Sequence, residues 1–318
     1  MRLPLLSLAA LGGLGALLLR RTHDQIVANP DPAPPAVIGT DPPGRTRWID
    51  RPDGTRIRVV EAGEGPTVVL AHGFGVSILA WSLVQPALVE AGYHVVAFDW
   101  RGHGRTTIGT DGVQPEVIAE DYVAVFEEMD LTDAVLVGHS TGGYLAIATL
   151  LDHPAFADRL AGLVLFGSFA GEALKDAPQN RLQIPLIKSG VFGAVLRTEL
   201  IGLPFAASIY GPDPSPAACR AFLEDFQQTD LEGVLPLLDR LATTGFYDRM
   251  GEIDVPTVVV CGEHDHTTPR WHSEALGRDI PGARNVWVAG GGHGINWSHP
   301  ESLVEVVNSL SSSAAPMS

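Results

Sequence analysis

AVLVGHSTGGYLAIATLL, residues 134–151, decides the fold of this 318-residue chain. Four apolar residues, Ala134, Val135, Leu136 and Val137, run into Gly138, and after Gly142 and Gly143 the composition turns to that of an apolar helix. A short apolar run closed by glycine and followed at once by helix formers reads as a buried strand feeding a helix. At the junction stands Gly138-His139-Ser140-Thr141-Gly142. A Gly-x-Ser-x-Gly turn at such a junction bends the chain sharply. Its glycines let the helix pack close, and the serine points out above the sheet. The helix N-terminus adds backbone N–H donors and a favourable dipole for a developing oxyanion. The motif alone occurs by chance, but in this position it nominates Ser140 as a nucleophile.

Working outward, strand and helix patterns alternate. Upstream, RTRWID, TRIRVVEAG and TVVLAHG are separated by Pro-Asp-Gly and Gly-Glu-Gly-Pro, which predicts an antiparallel hairpin and then a buried strand. YHVVAFDW (93–100), a helix over 114–129, the strand and helix around Ser140, and LAGLVLFGS (160–168) follow. This alternation predicts parallel strands with helices on both faces. From 169 to 247 no strand run occurs, only apolar helical stretches broken by Pro and Gly, before VPTVVVCGEHD (255–265) and ARNVWVAGGG (283–292) resume the pattern. A helical insertion between two halves of one sheet accounts for this, with a closing helix over 300–310. The predicted organisation is a core of 45–168 and 248–310, a helical cap of 169–247 and a tail of 311–318.

A serine hydroxyl is a poor nucleophile at neutral pH. It needs an imidazole to take its proton and a carboxylate to orient that imidazole. Asp265 follows the strand TVVVCGE, and His293 follows NVWVAGG within Gly290-Gly291-Gly292-His293-Gly294. Both fall at the C-terminal ends of strands, where open parallel sheets collect their sites. An oxyanion hole further needs N–H donors from two loops. His72-Gly73-Phe74-Gly75, directly after TVVLA, supplies one from Phe74, and Thr141 supplies the other. Ser140, Asp265 and His293 are therefore the candidate catalytic residues, Phe74 and Thr141 the oxyanion donors, and His72, Gly73 and His139 candidate substrate contacts. No cofactor and no metal is called for.

Over residues 46–310 the chain resembles the α/β-hydrolase superfamily. His72 to Gly75 is similar to its HG-x-G oxyanion loop, Asp99-Trp100-Arg101-Gly102-His103-Gly104 to its D-x-RG-x-G segment, Gly138 to Gly142 to its nucleophile elbow, and Gly262 to Pro269 to its G-x-x-D-x-x-x-P acid loop. The resemblance implies an α/β fold: an eight-stranded, mostly parallel sheet with helices on both faces and a helical cap after the sixth strand. It implies a loop-ordering role for Asp99 and Arg101. Epoxide hydrolases and haloalkane dehalogenases carry aspartate as nucleophile, so serine at 140 disfavours both. What remains is a serine hydrolase acting on a small-molecule ester or lactone. Perhydrolase or haloperoxidase-like chemistry, C–C bond hydrolysis and a non-catalytic ligand-binding role are the alternatives. The apolar cap stretches at 184–196, 200–210 and 233–246 point to an apolar group on the substrate.

Composition narrows the partners. Apolar residues make up 45% and charged residues 18%, which predicts a large core and not general disorder. Lys and Arg number 21 against 37 Asp and Glu, a formal charge of −16 without a basic cluster, so nucleic acid is not an expected partner. Cys219 and Cys261 form neither a metal pattern nor a disulfide framework. Residues 3–19 are apolar, flanked by Arg2 and by Arg20-Arg21. This predicts a targeting segment or membrane anchor within 1–28, although as a helix the run spans only about 26 Å at ~1.5 Å per residue. NPDPAPPAVIGTDPPG (29–44) reads as an extended Pro-rich linker holding the domain, which begins near Arg45, away from that anchor.

Overall fold

A computed structural model describes residues 5–313. Eight strands form one sheet: β1 (Arg45–Asp50), β2 (Arg56–Ala62), β3 (Thr67–Ala71), β4 (His94–Phe98), β5 (Ala134–His139), β6 (Leu160–Phe166), β7 (Thr257–Gly262) and β8 (Arg284–Val288). Their order is β1-β2-β4-β3-β5-β6-β7-β8. β1 and β2 pair antiparallel, as do β2 and β4. All other neighbours are parallel. The expected sheet is therefore the observed one.

Side chains alternate across a strand, so each inner strand, β2 to β7, feeds two apolar layers. Val69, Leu136, Leu163, Leu165 and Val259 belong to one, and Val68, Val135, Val137, Val164, Phe166, Val258 and Val260 to the other. The first layer is covered by α3 (Pro115–Glu128) and α4 (Thr141–Asp152), the second by α2 (Val84–Glu90) and α12 (Pro300–Ser313), with α1 (Leu5–Val27) N-terminal to the sheet. Burial on both faces explains why β5 is apolar along its length and shows no alternation. α4 is buried from Thr141 to Leu151 because it lies between the sheet and α3, which accounts for its lack of a polar stripe.

Between β6 and β7 the chain forms five helices, α5 (Pro178–Lys188), α6 (Val191–Leu196), α7 (Glu199–Ala207), α8 (Pro216–Phe226) and α9 (Leu235–Thr243), and no strand among the described residues. After β7 come α10 (Trp271–Asp279) and, after β8, α11 (Ile295–Ser298). α12 continues to Ser313, past the expected end at 310, so only 314–318 of the expected tail lie outside the described residues, as do 1–4 of the N-terminal segment.

The stretch 29–44 does not stand off as a linker. Asn29 donates to the Pro214 carbonyl (3.1 Å), Asp31 accepts from Ser215 Oγ and the Ala217 N–H, and Ile38 is buried. Gly39 donates its N–H to Ser82 Oγ at 2.9 Å, and Asp41 pairs with Arg58 and Arg105. Prolines favour extended backbone, which serves equally as a spacer and as a strap laid on a surface; composition does not separate the two. The packed body thus begins before Arg45. α1 precedes the strap and packs against α7, with Ile26 buried and His23 4.0 Å from Glu199. Among the described residues no helix is long and apolar enough to cross a membrane.

Candidate active site

The turn from β5 into α4 holds Ser140 at φ 52° and ψ −120°, outside the comfortable regions for a side-chain-bearing residue. Such a conformation costs on the order of 1–3 kcal/mol and persists only where its surroundings over-determine it. Here they do. The Ser140 N–H donates to the Phe166 carbonyl (2.9 Å), and its carbonyl accepts from Ser168 Oγ (2.9 Å) and from the N–H groups of Gly143 and Tyr144. Tyr122 Oη donates to the Gly142 carbonyl at 2.9 Å. A Cβ at Gly138 would lie 2.4 Å from Gly143 Cα, so glycine is required where the strand and helix backbones meet.

Three residues from distant loops converge there. His293 Nε2 lies 3.0 Å from Ser140 Oγ, and His293 Nδ1 lies 2.8 Å from Asp265 Oδ2. A carboxylate only accepts, so Nδ1 carries the ring proton and Nε2 is left to accept from the serine hydroxyl. Ser140, Asp265 and His293 are each at least nine-tenths buried. Burial pushes the Asp265 carboxyl up, but the His293 imidazole and the Thr268 donors outweigh it and hold Asp265 below its ordinary value. Thr268 donates its N–H to Oδ1 and its hydroxyl to Oδ2 of that carboxylate. The backbone of the histidine loop is fixed from the cap, because the Ile209 carbonyl accepts from both His293 and Gly294 N–H groups.

The expected oxyanion donors lie beside this relay. Thr141 is the first residue of α4, where an α-helix leaves backbone N–H groups without intrahelical acceptors. The Gly73–Phe74 loop is pressed against the elbow: a Cβ at Gly73 would lie 3.1 Å from Ser140 Cβ, and one at Gly142 would lie 2.4 Å from the Ala71 carbonyl oxygen. Phe74, Ser140, Thr141 and His293 all face a cavity whose far walls are apolar residues of the cap, among them Ile184, Phe205 and Leu238. Gly73 and His139 line a smaller neighbouring cavity that also reaches Ser140.

His72 requires correction as a substrate contact. It is fully buried and lines neither cavity; Nδ1 donates to the Gly73 carbonyl (2.8 Å), Nε2 accepts from the Trp100 N–H, and the ring stacks on Trp100. Burial pulls its pKa down to about 3, so it is a neutral brace behind the loop. His139 donates from Nε2 to the His293 carbonyl; burial, reinforced by the neighbouring His293 imidazole, takes its pKa to about 3. Asp99 accepts from the Ile78 and Arg105 N–H groups, and Arg101 bridges Asp121 and Asp53. Both order loops.

Sequence reasoning passed over Thr268, Ser168, Tyr122 and His272, a cavity-lining imidazole hydrogen-bonded to Tyr247. Only Thr268 carried a local signal, three residues after Asp265 in the acid loop; the others reach the site from separate elements.

The profile of the alpha/beta hydrolase family matches residues 68–306. The chain is 30% identical over 255 residues to the non-heme chloroperoxidase CPO-A1 of Kitasatospora aureofaciens, covering 76% of this chain and 90% of that protein. It is 28% identical to a 2-hydroxy-6-oxononadienedioate/2-hydroxy-6-oxononatrienedioate hydrolase of Cupriavidus pinatubonensis, covering 83% and 94%. Among solved structures, an esterase from Exiguobacterium antarcticum superposes with a TM-score of 0.75 at 23% identity, over 83% of this chain and 98% of that one. An N-acyl homoserine lactone degrading enzyme superposes with a TM-score of 0.69 at 26% identity, over 83% and 99%.

Proposed function

The chain belongs to the alpha/beta hydrolase family, and on that premise we propose that it is a serine hydrolase cleaving a carboxylic ester or lactone through an acyl-enzyme on Ser140. The observation that carries this reading is the continuous relay Ser140 Oγ–His293 Nε2, His293 Nδ1–Asp265 Oδ2, at 3.0 and 2.8 Å, at the base of a cavity with apolar walls.

Ser140 Oγ attacks the ester carbonyl carbon while its proton passes to His293 Nε2, and the resulting imidazolium is stabilised by Asp265. The carbonyl oxygen, now negative, is received by the N–H groups of Phe74 and Thr141. Collapse of this intermediate expels the alcohol oxygen, which takes the proton from His293. Water then attacks the acyl carbon with His293 as base, releasing the acid and restoring Ser140. The cap-lined cavity suits an apolar acyl or alcohol group.

Covalent labelling tests the reading. A fluorophosphonate is expected to modify Ser140 and to leave Ser140→Ala unmodified, and hydrolysis of short p-nitrophenyl esters is expected to fall by on the order of 10⁴ or more in that variant. A wild-type protein that turns over no ester of any chain length would overturn it. The similarity to a chloroperoxidase supports a second reading of the same relay, in which hydrogen peroxide replaces water at the acyl-enzyme and releases a peracid. Peroxide-dependent halide oxidation that requires a carboxylic acid would identify it. For residues 3–19 we propose association with a membrane surface, which flotation of the full chain with lipid vesicles tests.

A further inference from the structure

The loop that carries the Phe74 N–H is held from two sides. From the core, His72 Nδ1 donates to the Gly73 carbonyl, His103 Nε2 accepts from the Gly75 N–H (3.0 Å), and Asp99 Oδ1 accepts from the Ile78 N–H (2.7 Å). From the cap comes Asp225, in the last turn of α8: its Oδ2 accepts from both the N–H (2.7 Å) and the hydroxyl (2.9 Å) of Ser77. The next residue, Phe226, packs on Gly75, where a Cβ would lie 2.4 Å from the ring; with φ at +72° that position admits glycine. The cap thus grips the loop at two residues, one and three beyond Phe74.

A carboxylate is an expensive group to bury, and Asp225 is 2% exposed with no cation paired to it among the described residues. Its burial raises the carboxyl to about 7, against the lowering effect of the Ser77 bonds. A side chain there that served only packing would be apolar. What an acceptor at this place supplies is a fixed position for the Ser77 backbone, and so for the loop three residues upstream. The other end of α8 is fixed as well: Ser215 caps it, and Asp31 of the N-terminal strap accepts from Ser215 Oγ and the Ala217 N–H. Strap, α8 and oxyanion loop form one mechanical series.

We propose that Asp225 is a positioning residue: through Ser77 it sets the Phe74 N–H in the place where the tetrahedral oxygen forms, so that docking of the cap completes the oxyanion hole. It does not touch substrate. The proposal rests on the hydrolase reading above for its kinetic consequences, but not for its structural one.

The test uses the full chain with Asp225→Leu, which removes the acceptor, Asp225→Asn, which keeps an oxygen for Ser77, and Ser77→Ala, which deletes one of the two bonds. In Asp225→Leu, kcat on a soluble acetate ester is expected to fall at least tenfold with KM within about threefold. Affinity for a trifluoromethyl ketone, whose adduct with Ser140 carries the oxyanion, is expected to fall by the same factor. Asp225→Asn stays within about threefold of wild type, and Ser77→Ala lies between. Amide exchange of residues 73–78 is expected to accelerate in Asp225→Leu and not in Asp225→Asn. Should Asp225→Leu fail to fold, Ser77→Ala carries the same comparison. Unchanged exchange in this loop, a loss confined to KM, or an Asp225→Asn as impaired as the leucine variant would overturn the proposal. If wild type hydrolyses no ester, the hydrolase reading falls, while loop exchange still decides whether Asp225 holds the loop.

Discussion

Thr268 gives its hydroxyl to the same Asp265 oxygen that receives the His293 N–H, at 2.7 Å, and its own N–H to the other oxygen at 2.8 Å. A carboxylate that accepts several hydrogen bonds is stabilised in its charged form, in keeping with an Asp265 held below its ordinary value despite complete burial. Thr268→Val keeps the shape and removes one donor. The expected result is about a tenfold loss in kcat/KM, corresponding to about 1.4 kcal/mol. Asp265 becomes easier to protonate, so the loss widens as pH falls. A pH–rate profile superimposable on wild type after scaling would show that the hydroxyl contributes nothing to the charge state of Asp265.

Gly142→Ala probes the seam between the elbow and the oxyanion loop. The added Cβ would lie 2.4 and 2.5 Å from the carbonyl oxygens of Ala71 and His72, which are backbone atoms at the end of β3 and cannot rotate away. Overpacking of this kind costs typically about 1–3 kcal/mol, and it separates the two oxyanion donors. A lower Tm together with an ester hydrolysis rate at least a hundredfold lower is expected. Normal turnover would mean that the two loops are not in register for catalysis.

The buried carboxyl of Asp225 also makes a stability prediction. Its folded pKa, about 7, lies above the unfolded value of about 3.9. Between these values the folded state binds a proton that the unfolded state does not, so stability from this group is fully present below about pH 4 and is lost progressively as pH rises to about 7. Asp225→Asn removes that dependence. The difference in Tm, variant minus wild type, should therefore increase from pH 5 to pH 8; a constant difference would contradict the raised value.

Deleting the side chain of Asp31 should loosen α8 from its start. Loss of a capping acceptor costs typically about 1 kcal/mol, and here the residue belongs to the strap that also packs Gly39 against Ala221 and Ser82. Asp31→Ala is expected to lower the unfolding midpoint in urea with its slope unchanged, and removal of residues 1–44 to lower it much further. Equal midpoints for the full and shortened chains would return this stretch to the status of a linker.

How much of this was legible beforehand follows from the range of each interaction. The elbow was readable because its causes are local: glycines where two backbones cross, apolar residues on either side, a serine at the bend. Asp265 and His293 were readable because each stands in a glycine-marked loop after an apolar strand. His72 was misread, since its motif places it in the oxyanion loop while its direction, away from the cavity and onto Trp100, depends on packing from the loop after β4, 28 residues later.

The sequence by itself determined the eight strands and the strandless helical stretch between β6 and β7, and it nominated the three residues that the fold brings together, because periodicity and turn chemistry act over a few neighbours. Only the tertiary structure decided that residues 29–44 lie on the domain, that Thr268 anchors the acid, and that Asp225 reaches Ser77 across 148 positions. Those contacts are made by single polar side chains whose value comes from being buried opposite one partner, and burial is a property of the assembled fold.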